Sequence, residues 1–140
     1  MATSIFDLFK VGIGPSSSHT VGPMKIARLF AQQLQQQRLL SRVARISCTF
    51  HGSLGATGVG HGSDTAVLLG LSGHQPEHIN PDAISGYLDV IRQSKKVQLL
   101  GIQPISFIEQ SDLIFDFRAL PYHPNGMTFI AHDRDAQLLL

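Results

Sequence analysis

Cys48 is the single cysteine in 140 residues. That excludes an internal disulfide framework, and any metal or cluster site built from several cysteines of this chain alone. Charge of one sign is equally scarce. The net charge is +1 and the longest like-charged run is Lys95-Lys96, so the basic stripe of a nucleic-acid or membrane-surface protein is missing. No apolar run approaches the roughly 20 residues of a membrane span. Met1 to Lys10 has neither the basic start nor the long apolar core of a secretory signal. The expectation is a cytoplasmic protein with no nucleic-acid or membrane partner.

What is present suits one globular domain over residues 1–140. Hydrophobic residues make up 43% and charged residues 15%, enough for a single core. The compositional oddity is histidine, with seven copies. The last residues, Ala136 to Leu140, stop within an apolar run, which predicts a fragment of a longer chain.

The pattern along the chain reads helix, strand, helix, helix, then strands. Ser4 to Val11 reads as a short amphipathic helical turn, with Ile5, Leu8 and Phe9 on one side. Thr20 suits an N-cap and Pro23 a first turn, and Met24, Ala27, Ala31 and Leu34 recur at helical spacing to about Leu39. Val43 to His51 alternates, with Ile46, Cys48 and Phe50 on one face, as in a half-buried strand. Cys48 is therefore expected to be a buried structural thiol. Ser63 or Asp64 caps a short helix through about Leu71, and Asn80-Pro81 starts another whose apolar face is Ile84, Tyr87, Leu88 and Ile91. Asp112 to Arg118 and Met127 to His132 read as strands, joined by a connection ending in the Asn125-Gly126 turn signal. This order predicts an α+β, two-layer sandwich with helices on one face of a mixed or antiparallel sheet.

Three loops concentrate chemistry. Gly14-Pro15-Ser16-Ser17-Ser18-His19-Thr20 sets four hydroxyls and a histidine in five consecutive residues directly before a helix. Such a segment suits a small polar or anionic molecule. Gly52 to Asp64 holds five glycines around His61, letting backbone approach a ligand or partner closely. It contains no lysine and matches neither common nucleotide-binding glycine pattern. The helix start that follows favours an anionic group. The third loop carries His123-Pro124-Asn125-Gly126. Histidine titrates near neutrality and can take or give a proton. One loop histidine alone is more often a backbone hydrogen-bonding residue, but three in Gly/Pro-constrained loops suggest a shared site. His51, His74, His78 and His132 have plain contexts and read as surface or strand residues. Neither a zinc spacing nor a Gly-x-Ser-x-Gly elbow occurs. The four lysines, Lys10, Lys25, Lys95 and Lys96, lack the accompanying phosphate cradle of a pyridoxal-phosphate enzyme.

These motifs together resemble the N-terminal β domain of the iron-sulfur L-serine dehydratases, also called L-serine deaminases or L-serine ammonia-lyases. The similarity is carried by Phe6-Asp7-Leu8-Phe9, by Gly12 to Met24, by Gly52-Ser53-Leu54 with Thr57-Gly58 and Gly60-His61-Gly62-Ser63-Asp64, and by His123-Pro124-Asn125-Gly126-Met127. It runs nearly from end to end.

The resemblance implies a lyase of serine catabolism and gluconeogenesis that converts L-serine to pyruvate and ammonia. It implies a [4Fe-4S] cluster held by cysteines of a C-terminal α domain, with no metal ligands in this chain, and a homodimer. The cluster would act as Lewis acid on the substrate hydroxyl and carboxylate. The fold implied is similar to the allosteric substrate-binding domain of some phosphoglycerate dehydrogenases. On this analogy His61 is the base, with His19 and His123 orienting substrate or shuttling protons. Ser16, Ser17, Ser18, Thr20 and Asn125 would bind the substrate carboxylate or line the junction with the α domain. The chain alone is expected to be inactive. The alternative is a non-catalytic module that binds serine for regulation or docks the α domain.

Overall fold

A computed structural model describes residues 4–7, 21–52, 62–116 and 126–140. Helix α1, Val21–Gln36, starts directly after Thr20 and buries Met24, Ile26, Ala27, Phe30, Ala31 and Leu34. It ends three residues before the expected Leu39. Arg38 turns left-handed (φ 59°), and the Leu39 amide returns to the Leu34 carbonyl at 2.8 Å, a closure that uses up the last helical carbonyls. A 3-10 turn, Leu40–Arg42, leads into strand β2, Arg45–His51. Helix α2, Ser63–Leu71, is apolar almost all round and lies within the core. Asn80 accepts from the Asp82 amide at 3.0 Å and starts the 3-10 turn Pro81–Ala83, which runs on into α3, Ile84–Ser94.

The sheet is mixed. Strand β1, Ser4–Asp7, lies at one edge, followed across the sheet by β6, Gly126–His132, then β2, then β5, Leu113–Asp116. β6 is antiparallel to both β1 and β2, and β5 is parallel to β2. Period-two alternation decides which face is buried. Cys48 is in register with both Leu113 and Phe129, Phe50 with both Phe115 and Met127, and Ile46 with Ala131. The Phe30 ring of α1 stacks on Phe129 at 5.1 Å, and Phe50 on Phe115 at 4.9 Å. Each such pair contributes about 1 kcal/mol beyond its area. Ser47, Thr49, Thr128 and Ile130 on the opposite face are half-buried, and Ile114 is exposed. The α+β architecture expected from the sequence is present.

Several local expectations are corrected. Ser4 to Asp7 is a strand, not a helical turn: its backbone pairs with β6 from Ser4 opposite Phe129 to Asp7 opposite Gly126. The structure adds a hairpin, β3, Lys96–Leu99, with β4, Gln103–Ser106. It turns through Leu100 (φ 53°) and Gly101 (φ 71°) and adds Val97, Leu99 and Ile105 to the core. Asp112 belongs to a one-turn helix α4, Glu109–Asp112, before β5 rather than to the strand. It is buried, accepts from the Ile108 amide at 2.8 Å and pairs with Arg45 at 2.7 Å. Leu139 and Leu140 pack against the core, and the Leu139 amide bonds the Ala131 carbonyl at 2.8 Å.

Candidate functional site

Strand direction gathers the attachment points of all three chemistry-bearing segments. β2 and β5 run parallel and finish together, His51 in register with Asp116. β6 runs the other way and starts there, Gly126 facing Asp7 at the finish of β1. Residues 8–20 therefore leave from Asp7 at this end of the sheet and lead to the start of α1. Residues 53–61 leave from Gly52 and lead to the start of α2. Residues 117–125 leave from Asp116 and return at Gly126. Ser16, Ser17, Ser18, His19 and Thr20 fall in the first of these segments, His61 in the second, and His123 and Asn125 in the third. All eight lie outside the described residues.

Polar side chains gather among the described residues at this end, on the sheet face opposite the core. His51 was expected to be an ordinary strand residue, yet it is buried, and its Nε2 lies 2.8 Å from Thr128 Oγ1. It shares the face of the sheet opposite the core with Thr49, Thr128 and Asp116. Its signal in the sequence is only its place as the last residue of an alternating strand before a glycine. The start of α2 is also unusual. Gly62 at the N-cap position has φ 92°, a conformation glycine adopts freely, and it offers no capping side chain. Thr65 Oγ1 donates to the Gly62 carbonyl at 2.9 Å. Asp64 lies 3.9 Å from Arg92, whose Nε also donates to Glu109 at 2.8 Å. Those carboxylates raise the Arg92 pKa, with the Glu109 hydrogen bond the main cause.

The far end differs in kind. A cavity of about 480 Å³ lies there, lined among others by Arg42, Gln103, Asp133, Arg134 and Asp135. It adjoins the start of β2 and the turn after β6. Metal chemistry has no obvious seat: among the described residues no three His, Cys, Asp or Glu side chains cluster to hold an ion. Cys48 is fully buried on the core face, and burial pushes its thiol well above the ordinary value of 9.0. Protein-held iron-sulfur clusters take several cysteine thiolates, and this chain has the one cysteine.

Comparison with known proteins adds an independent line. The sequence profile of the family described as serine dehydratase beta chain matches residues 4–140. An L-serine dehydratase of Streptomyces coelicolor is 48% identical over 141 residues, covering 100% of this chain and 31% of that protein. L-serine dehydratase 1 of Escherichia coli is 41% identical over 133 residues, covering 94% of this chain and 29% of that protein. An L-serine dehydratase of Helicobacter pylori is 38% identical over 136 residues, covering 97% and 30%. The chain thus spans about a third of the length of the curated relatives it matches.

Proposed function

This chain belongs to the serine dehydratase beta chain family, and from that membership we propose that it is the N-terminal domain of an enzyme deaminating L-serine to pyruvate and ammonia. The observation that carries the reading is the topology. The three segments bearing His19, His61 and His123 are tied to one end of one sheet, as a shared site requires.

The reaction removes a proton from Cα and a hydroxyl from Cβ of serine, releasing water. The resulting aminoacrylate tautomerises to an imine, and water converts that to pyruvate and ammonium. His61 is the base that takes the α-proton, and neutral imidazole suits that task near pH 7. His19 and His123 orient the substrate or pass protons to the departing hydroxyl. Ser16, Ser17, Ser18, Thr20 and Asn125 hold the carboxylate or line the junction with the rest of the enzyme.

A [4Fe-4S] cluster does not fit the described residues. Such a cluster takes several cysteine thiolates, and Cys48 is the chain's single cysteine. The cluster in this reading belongs to a C-terminal α domain that docks at the end bearing those segments, so no step is assigned to it here. The whole enzyme is read as a cytoplasmic homodimer. Among the described residues no helix is long and apolar enough to cross a membrane.

One observation favours the other reading, a serine-sensing or docking module with a fold like the allosteric substrate-binding domain of phosphoglycerate dehydrogenases. The far-end cavity is lined by both Arg42 and Arg134 and by Asp133 and Asp135, charges of both signs that suit a zwitterion.

A pyruvate assay separates the two. In the full-length enzyme, His61→Ala should lower kcat by about 10²–10⁴ with little change in KM, and the 140-residue chain alone should form no pyruvate. Near-normal turnover by the variant would remove His61 as the base and favour the module. Pyruvate made by the chain alone would remove the need for the α domain.

A further inference from the structure

Among the described residues, the buried side-chain polar atom without a hydrogen-bond partner is Ser63 Oγ, and Ser63 is fully buried. A buried hydroxyl left unpaired is desolvated with nothing in return. Alanine at the same place would fold at least as well. The position of this orphan supplies a reason for it. Ser63 is the first residue of α2, a helix of nine residues whose N-cap, Gly62, has no side chain to cover the first-turn amides. A helical Cα–Cβ bond tilts toward the helix N-terminus, so the hydroxyl and those uncapped N–H groups face the same way. Donors of this kind favour an anion, helped by the positive end of the helix dipole.

The neighbouring side chains are already engaged. Thr65 bonds the Gly62 carbonyl, and the Asp64 carboxylate is matched by Arg92 at 3.9 Å. Ser63 is the donor left over. One residue, Gly62, separates it from His61. The permanent anionic group of L-serine is its α-carboxylate, bonded to the very carbon whose proton must be removed. Resting on the reading of the chain as an L-serine dehydratase domain, we propose that Ser63 Oγ–H and the first-turn amides of α2 bind the α-carboxylate of L-serine. The same turn of chain would then hold the substrate and carry the base.

The test is Ser63→Ala in the full-length enzyme, with wild type measured in parallel for pyruvate formation and thermal melting. The expected result is a KM for L-serine raised about tenfold to a hundredfold, kcat changed by less than about threefold, and a melting temperature equal to or above wild type. An unchanged KM overturns the assignment, whether or not kcat falls. So does a melting temperature several degrees lower, because the hydroxyl would then serve the fold. Wild type that forms no pyruvate from L-serine refutes the parent reading instead, before the variant is considered.

Discussion

Alanine at Gly70 sets helix propensity against packing. Propensity alone favours the change: glycine inside a helix is about 1 kcal/mol less favourable than alanine. Gly70 lies where α2 crosses the first turns of α1. A Cβ there would stand 2.8 Å from Ala27 Cβ, 3.0 Å from the Met24 carbonyl carbon and closer still to the Met24 carbonyl oxygen. Backbone atoms cannot rotate aside, so the two helices must separate. Overpacking of this kind costs about 1–3 kcal/mol, and the residual cavities that separation opens add to it. The expected net effect is a loss of about 1–2 kcal/mol, or roughly 3–6 °C in melting temperature for a chain of this size.

Gly86 supplies the control. It lies in α3 with nothing within 4 Å of its would-be Cβ. Gly86→Ala should therefore stabilise by about 0.5–1 kcal/mol through the unfolded chain's lost entropy. Urea unfolding of the 140-residue chain by far-ultraviolet circular dichroism, with calorimetry for the melting temperature, reads both variants. The two should move in opposite directions. Gly70→Ala melting at or above wild type, or both variants shifting the same way, would refute the close-packed crossing of α1 and α2.

Two further predictions concern titratable groups. Cys48 should resist thiol reagents in the native state, with little acceleration up to about pH 9, and should label only as the chain unfolds; rapid native labelling would show that β2 does not bury it. His74 stacks on Tyr87 at 4.3 Å, and desolvation lowers its pKa below the ordinary 6.5. The folded state then binds fewer protons than the unfolded state between those two values. Stability should rise with pH across that window and be lost on acidification below about 6.5. An imidazole titration followed by NMR checks the midpoint, and one at or above 6.5 would contradict the desolvation of His74.

The elements legible in the sequence are those whose pattern is local. β2 and β6 show period-two alternation with clear apolar faces, and their buried apolar residues fall where that alternation puts them, with His51 a buried exception on the other face. α1 and α3 each carry an apolar stripe, whereas α2 is apolar almost all round and has no capping side chain. β1 is hidden in the sequence because Ile5, Leu8 and Phe9 are spaced like a helix, whereas pairing with β6, more than a hundred residues away, makes Ser4–Asp7 a strand. The β3–β4 hairpin has four-residue strands and turns at Leu100-Gly101, without the Asn-Gly or Asp-Gly pair that marks such turns. The pairing of Asp112 with Arg45 spans 67 positions and leaves no local trace. For the site, the loops and their histidines stood out as motifs. The partnership of His51 with Thr128 and the orphaned hydroxyl of Ser63 exist only once strands and helices are assembled.

The strand order makes the gathering of the three histidine-bearing segments at one end of the sheet a consequence of topology rather than of their own sequence. With β2 and β5 parallel and β6 reversed between β1 and β2, the segments after β1, β2 and β5 must all depart from one end. The opposite end keeps the 3-10 turn, the C-terminal tail and the polar cavity. That division separates two kinds of mutational effect. Substitutions at Phe30, Phe50 or Phe129 act on the core and should read out as lost stability, about 3–5 kcal/mol for truncation to alanine. Substitutions at His61 or Ser63 act on the end bearing those segments and should read out in turnover or substrate affinity at unchanged stability. A residue whose change moves both, as Gly70 is placed to do where α2 meets Met24 just after the serine-rich segment, marks where the core sets the geometry of the site.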